Sequence, residues 1–240
     1  MQAIRAVIFD WGWTLTPFHS LDLMDRWLVL ARALAPERAE DLAAALLAAE
    51  AEFWQRSTSR AGADSATLDD ILDLAARRTG LELRGDQLPP ALDAYLEAWT
   101  PHTIAQPEVA PMLIALRDRG LRTGLLSNTH WPRSWHERIL ERDGIAHLLE
   151  ARVYTSELQH TKPHSEAFAA VLSRLDVKPH EAVMVGDRPV GDIGGAKSLG
   201  MRAVLLPNDQ VPTGSAVPDA TIRSLAELVP LIDTWLGFSM

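Results

Sequence analysis

Ala6 to Phe9 is a short, wholly apolar run, and Asp10 follows it directly. Such a run, bounded by polar residues, predicts a strand buried on both faces. From Ser20 to about Trp99 the periodicity changes. Leu21 to Leu34, Pro36 to Trp54, Thr67 to Arg78 and Leu88 to Trp99 carry apolar residues at helical spacing and predict four helices. Asp41 to Glu50 is nearly all alanine and leucine, a strong helix former. The polar stretch Ser57 to Ser65, with Gly62 inside it, predicts a loop. Beyond Pro101, helices over Glu108–Arg119 (ended by Gly120), Ser134–Arg142, His164–Leu175, Pro189–Leu199 and Leu225–Trp235 alternate with strands. Those strands are Leu121–Leu126, Ala151–Tyr154, Ala182–Val185 and Ala203–Leu206. This alternation implies right-handed crossovers and a parallel sheet, which binds ligands at the carboxyl ends of its strands. Asp10, Ser127 and Asp187 fall at predicted strand ends.

Composition narrows the class. At 240 residues, with 47% hydrophobic and 23% charged residues, the chain suits a globular protein with a sizeable core. Cysteine is absent, which excludes disulfides, cysteine-ligated zinc and thiol catalysis within this chain. A net charge of −9 argues against a nucleic-acid partner. No apolar stretch approaches the roughly 20 residues that span a bilayer, so no membrane partner is expected. The first residues run straight into a strand without a signal-like apolar core, and a cytoplasmic location is the expectation. Only three of 23 basic residues are lysines, Lys162, Lys178 and Lys197, so each lysine stands out.

Four separated motifs carry chemistry. Val7-Ile8-Phe9-Asp10-Trp11-Gly12-Trp13-Thr14-Leu15 is the first, and Leu125-Leu126-Ser127-Asn128 the second. Lys162-Pro163 with Phe168 is the third. Val183-Met184-Val185-Gly186-Asp187, with Asp192 and Gly194-Gly195-Ala196 beyond, is the fourth. In order and spacing they resemble the haloacid dehalogenase-like phosphatases across essentially the whole chain. The resemblance implies a Rossmann-like three-layer α/β core, residues 1–16 and 104–240. It also implies an all-helical cap, residues 17–103, hinged at Thr16-Pro17 and Thr100-Pro101. Caps of this kind close over the site and select the substrate.

The resemblance further implies residue roles. Asp10 is the nucleophile that forms an aspartyl-phosphate. Mg²⁺ takes the side chains of Asp10 and Asp187 and the carbonyl of Gly12. Asp192 is either a further ligand through water or the partner of Lys162. Ser127, Asn128 and Lys162 meet the phosphoryl group, and Thr14 matches the motif threonine. The expected partner is a small phosphorylated metabolite.

The first motif also departs from the family pattern, Asp-x-Asp-Gly-Thr. Gly12 stands where a second aspartate acts as general acid and base, a loss that typically costs about 10² to 10⁴ in rate. Acyl and aryl phosphates, whose leaving groups need little protonation, would suffer least. Trp13 stands where the motif has glycine, either narrowing the phosphate pocket or packing between core and cap. A lysine-dependent phosphonoacetaldehyde mechanism has no lysine before Lys162 to use, and the Gly186-Asp187 pair favours metal-dependent phosphatase ancestry over dehalogenation. His19, His102 and His130 are candidate substitute acids. Trp131 and Trp135 are candidates for the substrate entrance, as are Trp54, Arg56, Arg60 and the Gly62 loop. A homodimer through the alanine-rich cap helix is a further expectation. The leading function is thus a Mg²⁺-dependent hydrolase, and the alternative is a phospho-ligand binding or regulatory protein that keeps the site without turnover.

Overall fold

The computed structural model describes residues 4–17, 22–57, 64–83, 85–211 and 214–238. His19, Arg60 and Gly62 lie outside the described residues, as does the side chain of Arg56. Strand β1 (Ala6–Phe9) leads into helices α1 (Leu23–Leu34), α2 (Ala39–Ser57), α3 (Leu68–Thr79) and α4 (Leu88–Ala98). The chain then alternates through α5 (Val109–Asp118), β2 (Arg122–Ser127), α6 (Arg133–Arg142), β3 (Ala151–Tyr154), α7 (Ser165–Arg174) and β4 (Ala182–Gly186). It ends through α8 (Gly195–Ser198), β5 (Arg202–Leu205), β6 (Ala220–Thr221) and α9 (Leu228–Leu236).

The six strands form one parallel sheet, ordered β3-β2-β1-β4-β5-β6. Alternate residues of β1 feed the two faces, as the strand period requires. Val7 and Phe9 join one apolar cluster, and Ala6 and Ile8 join another with Phe168 and Val171 of α7. All four residues of β1 are buried, as a central parallel strand demands. The chain leaves β1 toward β2 and β3, then returns to β4 on the other side. This topological switch brings the carboxyl ends of β1, β2 and β4 together. Phe9 pairs with both Leu125 and Val185, so Asp10 emerges between Ser127 and Asp187.

Helices α1 to α4 form an all-helical cap. Helix α3 is bounded by a Thr67/Asp70 capping box and by Gly80 at φ 68°. Trp27, Leu30 and Ala31 of α1 pack on Leu42, Ala43 and Leu46 of α2. The cap cluster runs without a break into the core through Tyr95, Trp131 and Trp135. Two elements depart from the expectation. The helix expected over Pro189–Leu199 is a wide π-type turn over Pro189–Gly194 followed by the short α8. The two-residue strand β6 was not predicted, because two residues give no readable alternation. No helix among the described residues is long and apolar enough to cross a membrane.

Candidate active site

Asp10 continues the sheet by donating its backbone N–H to Val185 O at 3.0 Å. The chain then turns tightly, with the N–H groups of Leu15 and Thr16 donating to Trp11 O at 2.9 and 3.3 Å. Trp13 sits in this turn at φ 62°, the left-handed region, which is strained for a bulky side chain. That conformation accounts for the glycine usual at this motif position. Thr14 is fully buried behind the turn, its Oγ1 has no hydrogen-bond partner, and it does not line the cleft.

Lys162 is 1% exposed and places its ammonium wholly inside the protein. Nζ donates to Asp10 Oδ1 at 2.6 Å and to Leu126 O at 2.8 Å, and pairs with Asp192 Oδ1 at 2.7 Å. Burial opposes its charge, but Asp10 and Asp192 outweigh burial and hold its pKa above the ordinary lysine value. Asn128 is committed to the Lys162 backbone. Its Nδ2 donates to Lys162 O at 3.1 Å and its Oδ1 accepts from Lys162 N at 2.9 Å. These two bonds tie Asn128 to the neighbouring loop, while the residue still lines the cleft.

Asp192 reaches Lys162 because the π-type turn carries it under β4, where its Oδ2 accepts from Arg188 N at 2.9 Å. A Cβ on Gly186 would lie 2.3 Å from that carboxylate, so only glycine admits it. Of the two roles expected for Asp192, its contacts correspond to the partner of Lys162. Asp187 is 1% exposed, and neither of its oxygens has a hydrogen-bond partner. Burial, then the charges of Asp10 and Asp192, push its pKa up to about 8.

Carboxylate oxygens of Asp10, Asp187 and Asp192 lie within 4.8 Å of one another. Three buried carboxylates face one ammonium. The excess negative charge, the orphaned Asp187 oxygens and the all-oxygen donor set fit a hard divalent cation. Gly12, whose carbonyl was the expected third ligand, lies in the same cleft. It is exposed, and a Cβ built there would meet nothing within 4 Å.

Above this floor lies a cleft of about 490 Å³ between core and cap. Asp10, Gly12, Ser127, Asn128 and Lys162 line it from the core, with the indoles of Trp11, Trp13, Trp54, Trp99 and Trp131 around them. Trp135, by contrast, packs behind Trp131 and Tyr95. The Arg188 guanidinium lies over the Trp13 ring at 5.4 Å and over the Trp54 ring at 5.8 Å, a cation–π bridge between core and cap. It makes no ion pair among the described residues. Glu50 of α2 is buried and accepts from Trp27 Nε1 at 2.7 Å and Trp54 Nε1 at 3.3 Å. His130 lies 3.9 Å from Glu50, and neither of its ring nitrogens is hydrogen-bonded. Burial lowers the His130 pKa, with Glu50 opposing. His136 is pushed down to about 3 by burial, then by His130 and Arg133. Both imidazoles are therefore neutral near pH 7. His102 also lines the cleft.

Sequence reasoning missed Glu50, Arg188 and Trp99. Glu50 is one acid in an alanine-rich helix, and nothing in its spacing says that it faces the core. Arg188 had a readable signal, since it directly follows the fourth-motif aspartate.

Fold and site together define a capped α/β hydrolase. The family model for haloacid dehalogenase-like hydrolases matches residues 4–200. A glyceraldehyde 3-phosphate phosphatase of Methanopyrus kandleri is 30% identical over 95% of this chain and 97% of its own length. A crystal structure of an HAD phosphatase from Thermococcus onnurineus superposes with TM-score 0.67 at 25% identity, covering 95% of this chain and 98% of that one. A 2-haloacid dehalogenase from Pseudomonas syringae superposes with TM-score 0.68 at 23% identity, covering 97% and 99%. The chain belongs to the haloacid dehalogenase-like hydrolase family.

Proposed function

We propose that this hydrolase is a Mg²⁺-dependent phosphatase of a small phosphorylated metabolite, with residues 1–16 and 104–240 as its core and 17–103 as its cap. The observation that carries the reading is the buried cluster of Asp10, Lys162, Asp187 and Asp192, with Asp187 unsatisfied. The fold alone does not choose the bond that is cleaved, because phosphatase and dehalogenase neighbours superpose alike. A carboxylate trio suited to a hard cation favours phosphate.

In this reading Asp10 attacks phosphorus, the bond to the leaving oxygen breaks, and an aspartyl-phosphate forms. Water then attacks that phosphorus, phosphate departs, and the Asp10 carboxylate is restored. Lys162 grips Oδ1 and fixes the carboxylate, leaving Oδ2 outside that contact. Ser127 donates to a phosphoryl oxygen, and Arg188 adds positive charge at the cleft. Mg²⁺ held by Asp10, Asp187 and the Gly12 carbonyl would offset the repulsion between a carboxylate and a phosphate dianion. With glycine at position 12, no side chain there protonates the leaving group or activates the water.

The test is turnover of acetyl phosphate with Mg²⁺, together with rapid-quench trapping of phosphoenzyme. Wild type releases phosphate and yields a trapped acyl phosphate, and Asp10→Asn does neither. Gly12→Asp speeds loss of the trapped species by about 10² or more, the usual worth of a positioned acid/base. Mg²⁺-dependent binding with no Asp10-dependent release would instead establish the alternative, a phospho-ligand binding protein.

A further inference from the structure

Three features of the cleft have a common chemical meaning. First, the place where a second aspartate side chain would begin is open: nothing lies within 4 Å of a Cβ built on Gly12. Among the described residues no side chain fills that space. A leaving oxygen that departs without a proton must be a weak base, as a phenol or enol oxygen is and an alcohol oxygen is not. Second, five of the chain's eight tryptophans line the cleft, and Trp13, Trp54 and Trp99 are only half-buried there. A cleft of about 490 Å³ falls in the usual range for a whole organic ligand rather than a bare phosphate. Third, its cap end carries the Glu50 carboxylate and a neutral His130 whose two ring nitrogens are unpartnered. Buried polar atoms left this way call for a hydrogen-bonding ligand.

We infer that the substrate is an aryl phosphomonoester whose ring lies among the indoles and bears a polar substituent at the His130–Glu50 end. This rests on the phosphatase reading above and names its substrate class. The Asp10 oxygen–phosphorus bond forms as the bond from phosphorus to the aryl oxygen breaks. The aryloxide leaves with the electron pair and takes its proton from water. Stacking on indole faces supplies affinity.

The experiment compares kcat/KM across acetyl phosphate, 4-hydroxyphenyl phosphate, phenyl phosphate and glycerol 3-phosphate. Wild type prefers both aryl esters to glycerol 3-phosphate by at least 10²-fold, and Gly12→Asp narrows that gap by supplying the proton. Trp99→Leu, which leaves the Arg188 bridge intact, raises KM for the aryl esters about three- to ten-fold and leaves acetyl phosphate within about twofold. His130→Phe weakens 4-hydroxyphenyl phosphate but not phenyl phosphate. Acetyl phosphate turnover with aryl esters no better than glycerol 3-phosphate overturns this inference and leaves the phosphatase reading standing. A Trp99→Leu variant that affects acetyl and aryl phosphates alike overturns it too. Absence of Asp10-dependent turnover on every ester removes both.

Discussion

Asp187 is the residue on which the metal question turns. Its folded pKa of about 8 lies above the ordinary aspartate value of 3.8, so the metal-free folded state holds a proton that the unfolded chain gives up. The stability this proton contributes is fully present below about pH 4 and is lost as pH climbs toward 8. A divalent cation needs the ionised carboxylate and competes with that proton. The increase in Tm on adding Mg²⁺ is therefore larger at pH 8 than at pH 6, and Asp187→Asn removes this pH dependence. Thermal melts with and without Mg²⁺ at the two pH values check it, and a larger shift at pH 6 contradicts it.

At this scale Asp10, Ser127 and Asp187 stand out because each ends or follows an apolar strand and the topology brings those ends together, whereas Lys162 is marked by its Lys-Pro motif and the scarcity of lysine. What the sequence does not carry is set by contacts between distant loops. Asn128 is tied to the Lys162 backbone, and Thr14 faces away from the cleft. Glu50 depends on how the cap docks, which no local pattern encodes.

Among the elements, the turn that follows β4 shows how strand ends become a site. Pro189 opens the element at its first position, where no N–H is needed, and the chain runs through a π-type turn that delivers Asp192 to Lys162. The sequence predicted one continuous helix there, since the spacing of Pro189 to Leu199 is helical and local pattern does not register the width of a turn. The glycines of this motif have separate tasks. At Gly195 a Cβ would lie 2.5 Å from the Phe168 ring and 3.1 Å from Pro163 Cα, where α8 meets α7. Gly195→Ala is expected to cost roughly 1–3 kcal/mol through overpacking and to lower Tm by several degrees. At Gly191 the nearest atom would be Arg188 Cβ at 3.7 Å, an ordinary contact, so no comparable packing penalty arises there. Differential scanning calorimetry of the Gly195→Ala and Gly191→Ala variants checks the pair, and equal losses would discount the close approach as the reason for glycine at 195.

For the molecule as a whole, cap and core share one apolar cluster that runs from Phe9 and Leu15 through Trp131 and Tyr95 to Trp27 and Leu46. Polar ties cross the same seam, including Arg138 to Asp93 at 3.1 Å. An insert built this way is not expected to unfold by itself. Urea transitions followed by far-ultraviolet circular dichroism and by tryptophan emission should coincide, whereas an early emission change would mean that the seam opens first. The four helices and the parallel sheet were legible from hydrophobic period and the cap from the family resemblance, yet the docking of cap on core was legible from neither. The rings that join them are scattered from Trp27 to Trp135, too far apart in sequence to form a pattern.

The Arg188 guanidinium, held over Trp13 on one side of that seam and Trp54 on the other, gives the molecule an optical use. Drawing the cation away from those two rings changes the surroundings of a pair of indoles that sit beside the nucleophile. An anionic ligand that recruits Arg188 would thus announce itself in the ultraviolet glow of the unlabelled protein, with no dye and no turnover required.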